Sequence, residues 1–159
     1  MRLYLMALSL SALAPLALAA GVVEVNFKPV DELTDVGHGS LEGERNVKAL
    51  SDHFRTLAAR LPDGQTLKVD VLDVDMAGHV KPSRLGGDLR VLRGGADWPS
   101  LDLQWSLLEG GRAVSSGKDR ISDLTYLQQP LRLGATGPVA YETRLIDRWF
   151  DQRFGSKAP

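Results

Sequence analysis

The chain of 159 residues contains no cysteine. This absence excludes a disulfide framework, thiol chemistry, thiolate zinc sites and a lipid anchor on an N-terminal cysteine. The chain also lacks an excess of either charge, because 19 Lys and Arg residues face 20 Asp and Glu residues, for a formal net charge of −1. Proteins that bind nucleic acid usually carry a strong basic excess, so we expect no nucleic-acid partner.

Long apolar runs are absent beyond the first nineteen residues. There, Arg2 precedes an almost uninterrupted apolar run, and Ala17-Leu18-Ala19 supplies the small residues of a signal-peptidase site. This pattern is typical of a secretory signal peptide, and the run is shorter than the roughly 20 apolar residues of a membrane span. We predict a cleaved signal peptide over residues 1–19, with cleavage after Ala19 or Ala20; an uncleaved N-terminal anchor is the alternative.

The predicted export gives the missing cysteines a further meaning. An exported domain without disulfides is held together by packing alone, which suits a Gram-negative periplasm better than a eukaryotic extracellular space. We therefore expect a periplasmic protein with no membrane span after cleavage, in which residues 20–159 form a single domain.

The first half of this domain shows one strand and one helix clearly. Val22–Phe27 alternates apolar and polar residues, as strands do, and 31–43 is polar and rich in glycine, which indicates a loop. From Glu44 to Leu61 the apolar residues recur at the spacing of an amphipathic helix, and Pro62-Asp63-Gly64 ends it.

The next strand changes phase within its length. Thr66–Met76 has apolar residues on one face in its first half and on the opposite face in its second. A β-bulge near Val71-Leu72 would turn both sets toward the core. A loop is predicted over 78–87 and a short strand over Leu89–Leu92.

The second half contains a β-hairpin and a final helix. Ser100–Leu108 and Ala113–Ser122 flank Gly110-Gly111, a strong signal for a two-residue turn. This turn pairs Leu107 with Val114 and Trp105 with Ser116, and it places a polar strand near a sheet edge. Past Pro138, a broad apolar stripe predicts an amphipathic helix.

These elements define the fold class. The order β-α-β-β-β-β-α with one antiparallel hairpin indicates an α+β domain. We expect a mostly antiparallel sheet of four to five strands, with two amphipathic helices on one face.

A candidate metal site lies at the end of the phase-changing strand. Asp73 and Asp75 are two residues apart, so both carboxylates point to one face, and His79 follows in the loop. Oxygen ligands with a nearby imidazole suit a divalent cation. The alternative is a solvated sheet face, which also requires polar residues between valines.

Other catalytic patterns are weak. The three histidines, His38, His53 and His79, have no helical zinc spacing, and no G-x-S-x-G turn marks a serine nucleophile. The paired glycines lack the lysine and the context of phosphate loops. We predict no catalytic residues and no cofactor.

A candidate ligand surface combines basic and aromatic residues in the middle of the chain. Arg84, Arg90, Arg93 and Trp98 lie on adjacent predicted loops and a strand, together with Trp105. Such residues are common at binding surfaces. The alternative is that the tryptophans belong to the core and the arginines are solvated.

With the segments placed, the chain resembles an exported proteobacterial family, the domain of unknown function (DUF) numbered 3016. The segments that carry the resemblance are Val25-x-Phe27, Leu61–Leu67, Asp73–Gly78, Trp98-Pro99, Leu108–Gly111, Ser122-Asp123-Leu124 with Tyr126, and the Tyr141–Phe150 pattern. The segment Arg84–Gly87 departs from it, because a bulkier loop containing tryptophan is expected there. The resemblance implies an exported, periplasmic α+β protein and transfers no catalytic residue.

The sequence therefore predicts an exported periplasmic protein that acts as a non-enzymatic binding or envelope-associated module. Its partner would be an envelope protein, a peptide, a lipid or a glycan. One alternative is a metal-assisted hydrolase that uses Asp73, Asp75 and His79. Another is an accessory subunit of an envelope complex that docks by its last helix or an exposed strand edge.

Overall fold

A computed structural model describes residues 20–83, 87–131 and 136–155. They form an α+β fold with six strands, two α-helices and two short 3-10 turns, the turns lying at Val30–Glu32 and Leu57–Arg60. The strands are β1 (Val22–Phe27), β2 (Gln65–Asp75), β3 (His79–Pro82), β4 (Asp88–Val91), β5 (Ser100–Glu109) and β6 (Arg112–Ser122). The helices are α1 (Gly39–Thr56) and α2 (Ala140–Phe154). The predicted fold class is confirmed.

The main sheet has the strand order β1-β2-β5-β6, and β3 and β4 form a separate two-stranded sheet. β1 runs parallel to β2, whereas the other pairings are antiparallel. The register of β2 against β5 shifts between Val71 and Asp73, so the predicted bulge is confirmed. As a result Leu67, Val69 and Val74 are all buried.

Both helices contribute to one hydrophobic core with the main sheet. Leu50 and Phe54 of α1 are fully buried, and the ring of Phe54 meets that of Trp149 on α2 edge-on, with centroids 6.3 Å apart. The apolar stripes of both predicted helices are therefore the faces that pack. Within the described ranges, no helix is long and apolar enough to cross a membrane.

The hairpin turn is confirmed, but its predicted register is wrong by one residue beyond the turn. Gly110 and Gly111 both have positive φ, and Glu109 pairs with Arg112. A shift at Leu107/Leu108 leaves Val114 as an extra residue, so Leu107 pairs with Ser115 and not with Val114. The predicted pairing of Trp105 with Ser116 is wrong for the same reason.

The glycine of β6 fits this register. Trp105 lies opposite Gly117, and a Cβ at this glycine would stand 3.0 Å from the indole carbon Cζ2 of Trp105. The bulge therefore brings the one residue without a side chain under the indole ring. As predicted, β6 lies at the edge of the sheet.

Two predicted boundaries are also corrected. The loop predicted over 78–87 contains β3, a short strand that forms by pairing with β4. α1 begins at Gly39 instead of Glu44, within the predicted loop, and it ends at Thr56 in a 3-10 turn. Gly43 therefore lies inside the helix, where a Cβ would stand 2.5 Å from Cγ1 of Val30, so the close approach of Val30 requires glycine at this position.

Candidate functional site

Two adjoining cavities lie between α1 and the segment that leads into it. One, of about 630 Å³, is lined by the 29–37 segment and the first turns of α1. The second, of about 450 Å³, is lined by the end of β1 and the following turns of α1. Val30 and Glu44 line both cavities, so the two are neighbours, and we call them together the β1–α1 groove.

The groove has an apolar floor. Val25, Phe27, Val30 and Val47 line it and are partly buried against the hydrophobic core. Volumes of several hundred Å³ with an apolar lining and a few polar groups are typical of ligand sites. The β1–α1 groove has the size and lining of a binding site.

The 29–37 segment is held on the sheet by backbone and side-chain bonds. The Asp35 N–H donates to the Val74 carbonyl (2.9 Å), and the Met76 N–H donates to the Asp35 carbonyl (3.0 Å). The N–H and the hydroxyl of Thr34 donate to the two oxygens of Asp73, both at 2.8 Å. One wall of the groove is therefore fixed to the end of β2.

The same segment is also held on α1. Asn46 is buried, and its Nδ2 donates to the Val36 carbonyl at 2.8 Å. The Glu42 carboxylate accepts from the His38 N–H at 2.9 Å and so satisfies a backbone donor at the start of the helix. Hydrogen bonds thus hold the 29–37 wall of the groove to both the sheet and α1, as favours a preformed binding site.

An ion pair joins this region to the second sheet. The Arg90 guanidinium of β4 donates to both oxygens of Asp35, with Nη2 to Oδ1 at 2.7 Å and Nη1 to Oδ2 at 3.0 Å. Arg90 also donates to the carbonyl of Ala77 at 3.2 Å. Arg90 thus joins β4 to the 29–37 segment and to the residues just after β2.

The three residues of the predicted metal site do not form a cluster of ligands. Asp73 binds Thr34, Asp75 ends β2, and His79 begins β3 opposite Val91. Among the residues that the structure describes, no group of three His, Asp or Glu side chains could hold a metal ion. The predicted metal site remains a prediction to which the arrangement adds no support.

Asp75 nevertheless lies in an unusual environment. Burial raises the pKa of its carboxyl group above 3.8, and the negative charges of Asp35 and Asp73 raise it further. The end of β2 is therefore crowded with carboxylates, of which Asp35 is neutralised by Arg90.

The residues of the predicted ligand surface differ in their contacts and exposure. Arg90 is taken up by its pair with Asp35, and Arg93 is exposed with its N–H bound to Asp97 at 2.7 Å. Trp98 is 36% exposed. Arg84 lies outside the described residues. Arg93 and Trp98 remain available for binding, so this prediction also stays open.

Trp105 belongs to the hydrophobic core, as the alternative to a ligand surface predicted for the tryptophans. It is buried, and its indole N–H donates to Asp119 at 2.8 Å; the indole N–H of Trp149 donates to the same carboxylate at 2.9 Å. Burial alone would raise the pKa of Asp119, but hydrogen bonds from Trp149, Arg153 and Trp105 lower it overall. This carboxylate links β6 to α2.

Two carboxyl groups are buried although the sequence did not lead us to expect it. Glu142 has no exposed surface, and its Oε1 accepts from the Ala77 N–H at 2.8 Å. Its position could have been found, because Glu142 precedes Leu145 and Ile146 by three and four residues on the apolar stripe of α2. Asp123 is 2% exposed and has no such signal in the local pattern.

The comparisons with known proteins give one family. The chain matches the family described as "Protein of unknown function (DUF3016)" over residues 21–152. The chain belongs to this family, and the matched span includes all residues of the β1–α1 groove. No match to the chain was found among curated proteins or among solved structures.

Proposed function

We propose that this protein is an exported, periplasmic, non-enzymatic binding module of the cell envelope, and that the β1–α1 groove is its binding site. The observation that carries the proposal is the groove itself, with an apolar floor between two walls fixed to the sheet and to the helix. Preformed apolar clefts with a few polar groups at the rim are the default location of ligand sites.

Export is supported by the pattern of residues 1–19. The test is the N-terminal sequence of the protein recovered from a periplasmic fraction of its native host. We expect the recovered chain to begin at Ala20 or Gly21, as cleavage after Ala19 or Ala20 requires. A chain that retains Arg2 in all fractions would overturn the proposed export.

Binding is tested with a photo-crosslinking amino acid placed in the groove at Val47, in cells that export the protein. Val114, on the exposed part of β6, provides the matched control position. We expect a defined adduct with an envelope component from position 47 and no such adduct from position 114. Repeated absence of an adduct at 47, or the same adducts from both positions, would contradict the proposal.

A further inference from the structure

We propose that the free edge of β1 and the β1–α1 groove together bind an extended segment of a partner protein, and that this segment carries both basic and apolar side chains. The inference rests on the proposed binding function and names the class of partner and the mode of binding. An extended segment that joins a sheet edge gains affinity from backbone hydrogen bonds and specificity from side-chain pockets beside the edge.

The first observation is the position of β1 at the end of the main sheet. Among the strands that the structure describes, β1 pairs only with β2, in the order β1-β2-β5-β6. The Lys28 N–H donates to the Val71 carbonyl of β2, and backbone groups of successive strand residues alternate in direction. The N–H and C=O groups of Val23, Val25 and Phe27 therefore point to the free edge.

The two edges of the sheet differ in their protection. β6, at the opposite edge, carries Lys118 and Arg120 and contains the irregular register at Val114. Charged side chains and bulges of this kind hinder the addition of a strand. β1 keeps a regular register with β2, and its one charged residue, Glu24, forms an ion pair with Lys68 of β2 at 2.9 Å. The β1 edge is thus the one open to strand addition.

The second observation is that the groove reaches this edge. The smaller cavity contacts Val25, Asn26 and Phe27, three consecutive residues whose side chains alternate between the faces of the sheet. Because β1 is the edge strand, a cavity lined by these residues lies next to the free edge. Every second side chain of an added strand would therefore meet the apolar floor formed with Val30 and Val47.

The third observation is the charge at the mouth of the groove. Lys48 and Arg55 line the groove but are both paired with Asp52. Asp31 and Glu44 also line it, and neither forms an ion pair with any residue in the described ranges. Two carboxylates without a cationic partner at the rim favour a basic segment over an acidic one.

The test uses a six-residue peptide of alternating valine and lysine, with amide hydrogen exchange of the full protein as the readout. We expect the peptide to slow exchange at the amides of Val23, Val25 and Phe27, and to leave those of Glu24 and Asn26 unchanged. A second peptide with an N-methyl group on every residue keeps the charge but has no backbone N–H with which to pair with a strand on either edge. A third peptide replaces lysine by glutamate.

The peptide comparisons separate strand addition from charge alone. We expect binding of the second and third peptides to be weaker by at least about tenfold. Equal binding of the N-methylated peptide would overturn strand addition, and equal binding of the glutamate peptide would overturn the preference for basic segments. A lysine peptide that protects no β1 amide would also overturn the inference.

Charge variants locate the contact. Asp31→Asn and Glu44→Gln should each weaken binding of the lysine peptide by about threefold, as expected for exposed ion pairs. Asp63→Asn and Glu109→Gln, exposed and outside the groove, are the matched controls and should leave it unchanged. Equal losses in all four variants would contradict a role for the groove.

Two further outcomes are distinguished: pairing of β1 with a second copy of the chain, and failure of the proposed binding function itself. A concentration-dependent dimer that the lysine peptide dissociates would replace the partner segment by a second β1 edge and so overturn the inference. If position 47 yields a specific adduct in cells but the peptides leave β1 unprotected, the binding function stands and the inference fails. If position 47 yields no adduct, the function fails first.

Discussion

Two buried carboxyl groups beside α2 respond to burial in opposite ways. Burial raises the pKa of Glu142 above its ordinary value, and hydrogen bonds from the backbone of Ala77 and of Glu142 itself do not offset this. Its Oε2 has no hydrogen-bond partner among the described residues. Burial also acts on Asp123, but the hydrogen bond and the charge of Arg148 lower its pKa overall. The difference follows from the number of donors that face each carboxylate.

Glu142→Gln should remove a pH dependence of stability. Because the pKa of Glu142 is raised in the folded protein, the unfolded chain loses this proton first as the pH rises from about 4.5. The wild-type protein therefore loses stability until the pH passes the folded pKa, and the Gln variant does not. We expect the Tm of the variant relative to wild type to increase as the pH rises from about 4.5 to the folded pKa of Glu142 and then to level off.

The control for this prediction is Glu109→Gln, which changes an exposed glutamate at the end of β5. Its Tm relative to wild type should stay constant over the same range. A constant difference for Glu142→Gln as well would show that this carboxyl group does not titrate differently in the two states.

Asp123→Asn should destabilise the fold strongly. Asp123 is 2% exposed, and it accepts hydrogen bonds from Arg144, Arg148 and Thr125. Removing its charge leaves two guanidinium groups without their carboxylate; since Arg148 is partly exposed, we expect a loss of about 2 to 3 kcal/mol in the free energy of unfolding. Denaturant titration measures it.

The matched control is Asp102→Asn. Asp102 pairs with Arg120, whose side chain is 70% exposed, at a distance of 3.4 Å. An exposed pair of this kind contributes less than about 1 kcal/mol. Similar losses in the two variants would argue that burial of Asp123 does not determine its contribution.

At the scale of the elements, α1 illustrates which features a sequence determines. Leu50, Phe54 and Leu57 recur at helical spacing and are all buried, so the packed face was predictable. The start of the helix was not, because Gly43 disfavours helix by its own propensity and is retained for its contact with Val30. The start of α1 thus depends on a contact between two segments that are separated in the sequence, and local propensity does not report such a contact.

Leu50→Asp should unfold the protein. Leu50 of α1 is fully buried in the hydrophobic core. The free energy of unfolding of a domain is only about 5 to 15 kcal/mol, and an unpaired carboxyl group at this position would remove most or all of it. Circular dichroism during heating measures the transition. Trp149→Asp, on the buried face of α2, should act in the same way.

Leu41→Asp is the control on the same helix, since Leu41 is 61% exposed. We expect it to melt within a few degrees of wild type, because surface substitutions usually change stability by about 0.5 kcal/mol or less. If Leu50→Asp also melted like wild type, the assignment of the buried face of α1 would be wrong.

The strands show why one bulge was predictable and the other was not. In β2 the apolar residues change phase at Val71, and both halves must face the core, so the alternation itself required a bulge. In β6 most residues are exposed on both faces, so an extra residue at Val114 leaves no trace in the pattern. Register is strongly encoded only where one face of a strand is buried.

At the scale of the whole molecule, the charged residues are distributed unevenly along the chain, although the formal net charge is only −1. The span 29–44 contains five carboxylates and no Lys or Arg, and it forms most of the groove. The sequence predicted a polar, glycine-rich loop here, but not that Val25, Phe27 and Val47 complete a cavity with it. The groove depends on how β1 and α1 pack, and periodicity does not specify that placement.

The two sheets of the molecule are joined by the contacts of Arg90. Its side chain is 16% exposed and reaches Asp35, whose side chain is 25% exposed, from the second strand of the small sheet. The exposed pair of His38 with Asp88, at 2.8 Å, adds a link between β4 and the residue just before α1. Arg90 also donates to the carbonyl of Ala77, just after the end of β2, so this one side chain ties the β3–β4 sheet to two other segments.

Arg90→Gln should loosen the small sheet while the main sheet remains folded. The substitution leaves the partly buried Asp35 carboxylate without its cation, at a cost of about 1 to 3 kcal/mol after allowance for its exposure. We expect amide exchange to become faster in β3 and β4 and to stay slow in β2 and β5, because local opening requires only the contacts of the small sheet to break. Arg120→Gln, which removes an exposed arginine, should change neither pattern. If Arg90→Gln left exchange in β3 and β4 unchanged, the strand pairing alone would hold the small sheet in place; if it accelerated all strands equally, the two sheets would unfold as one cooperative unit.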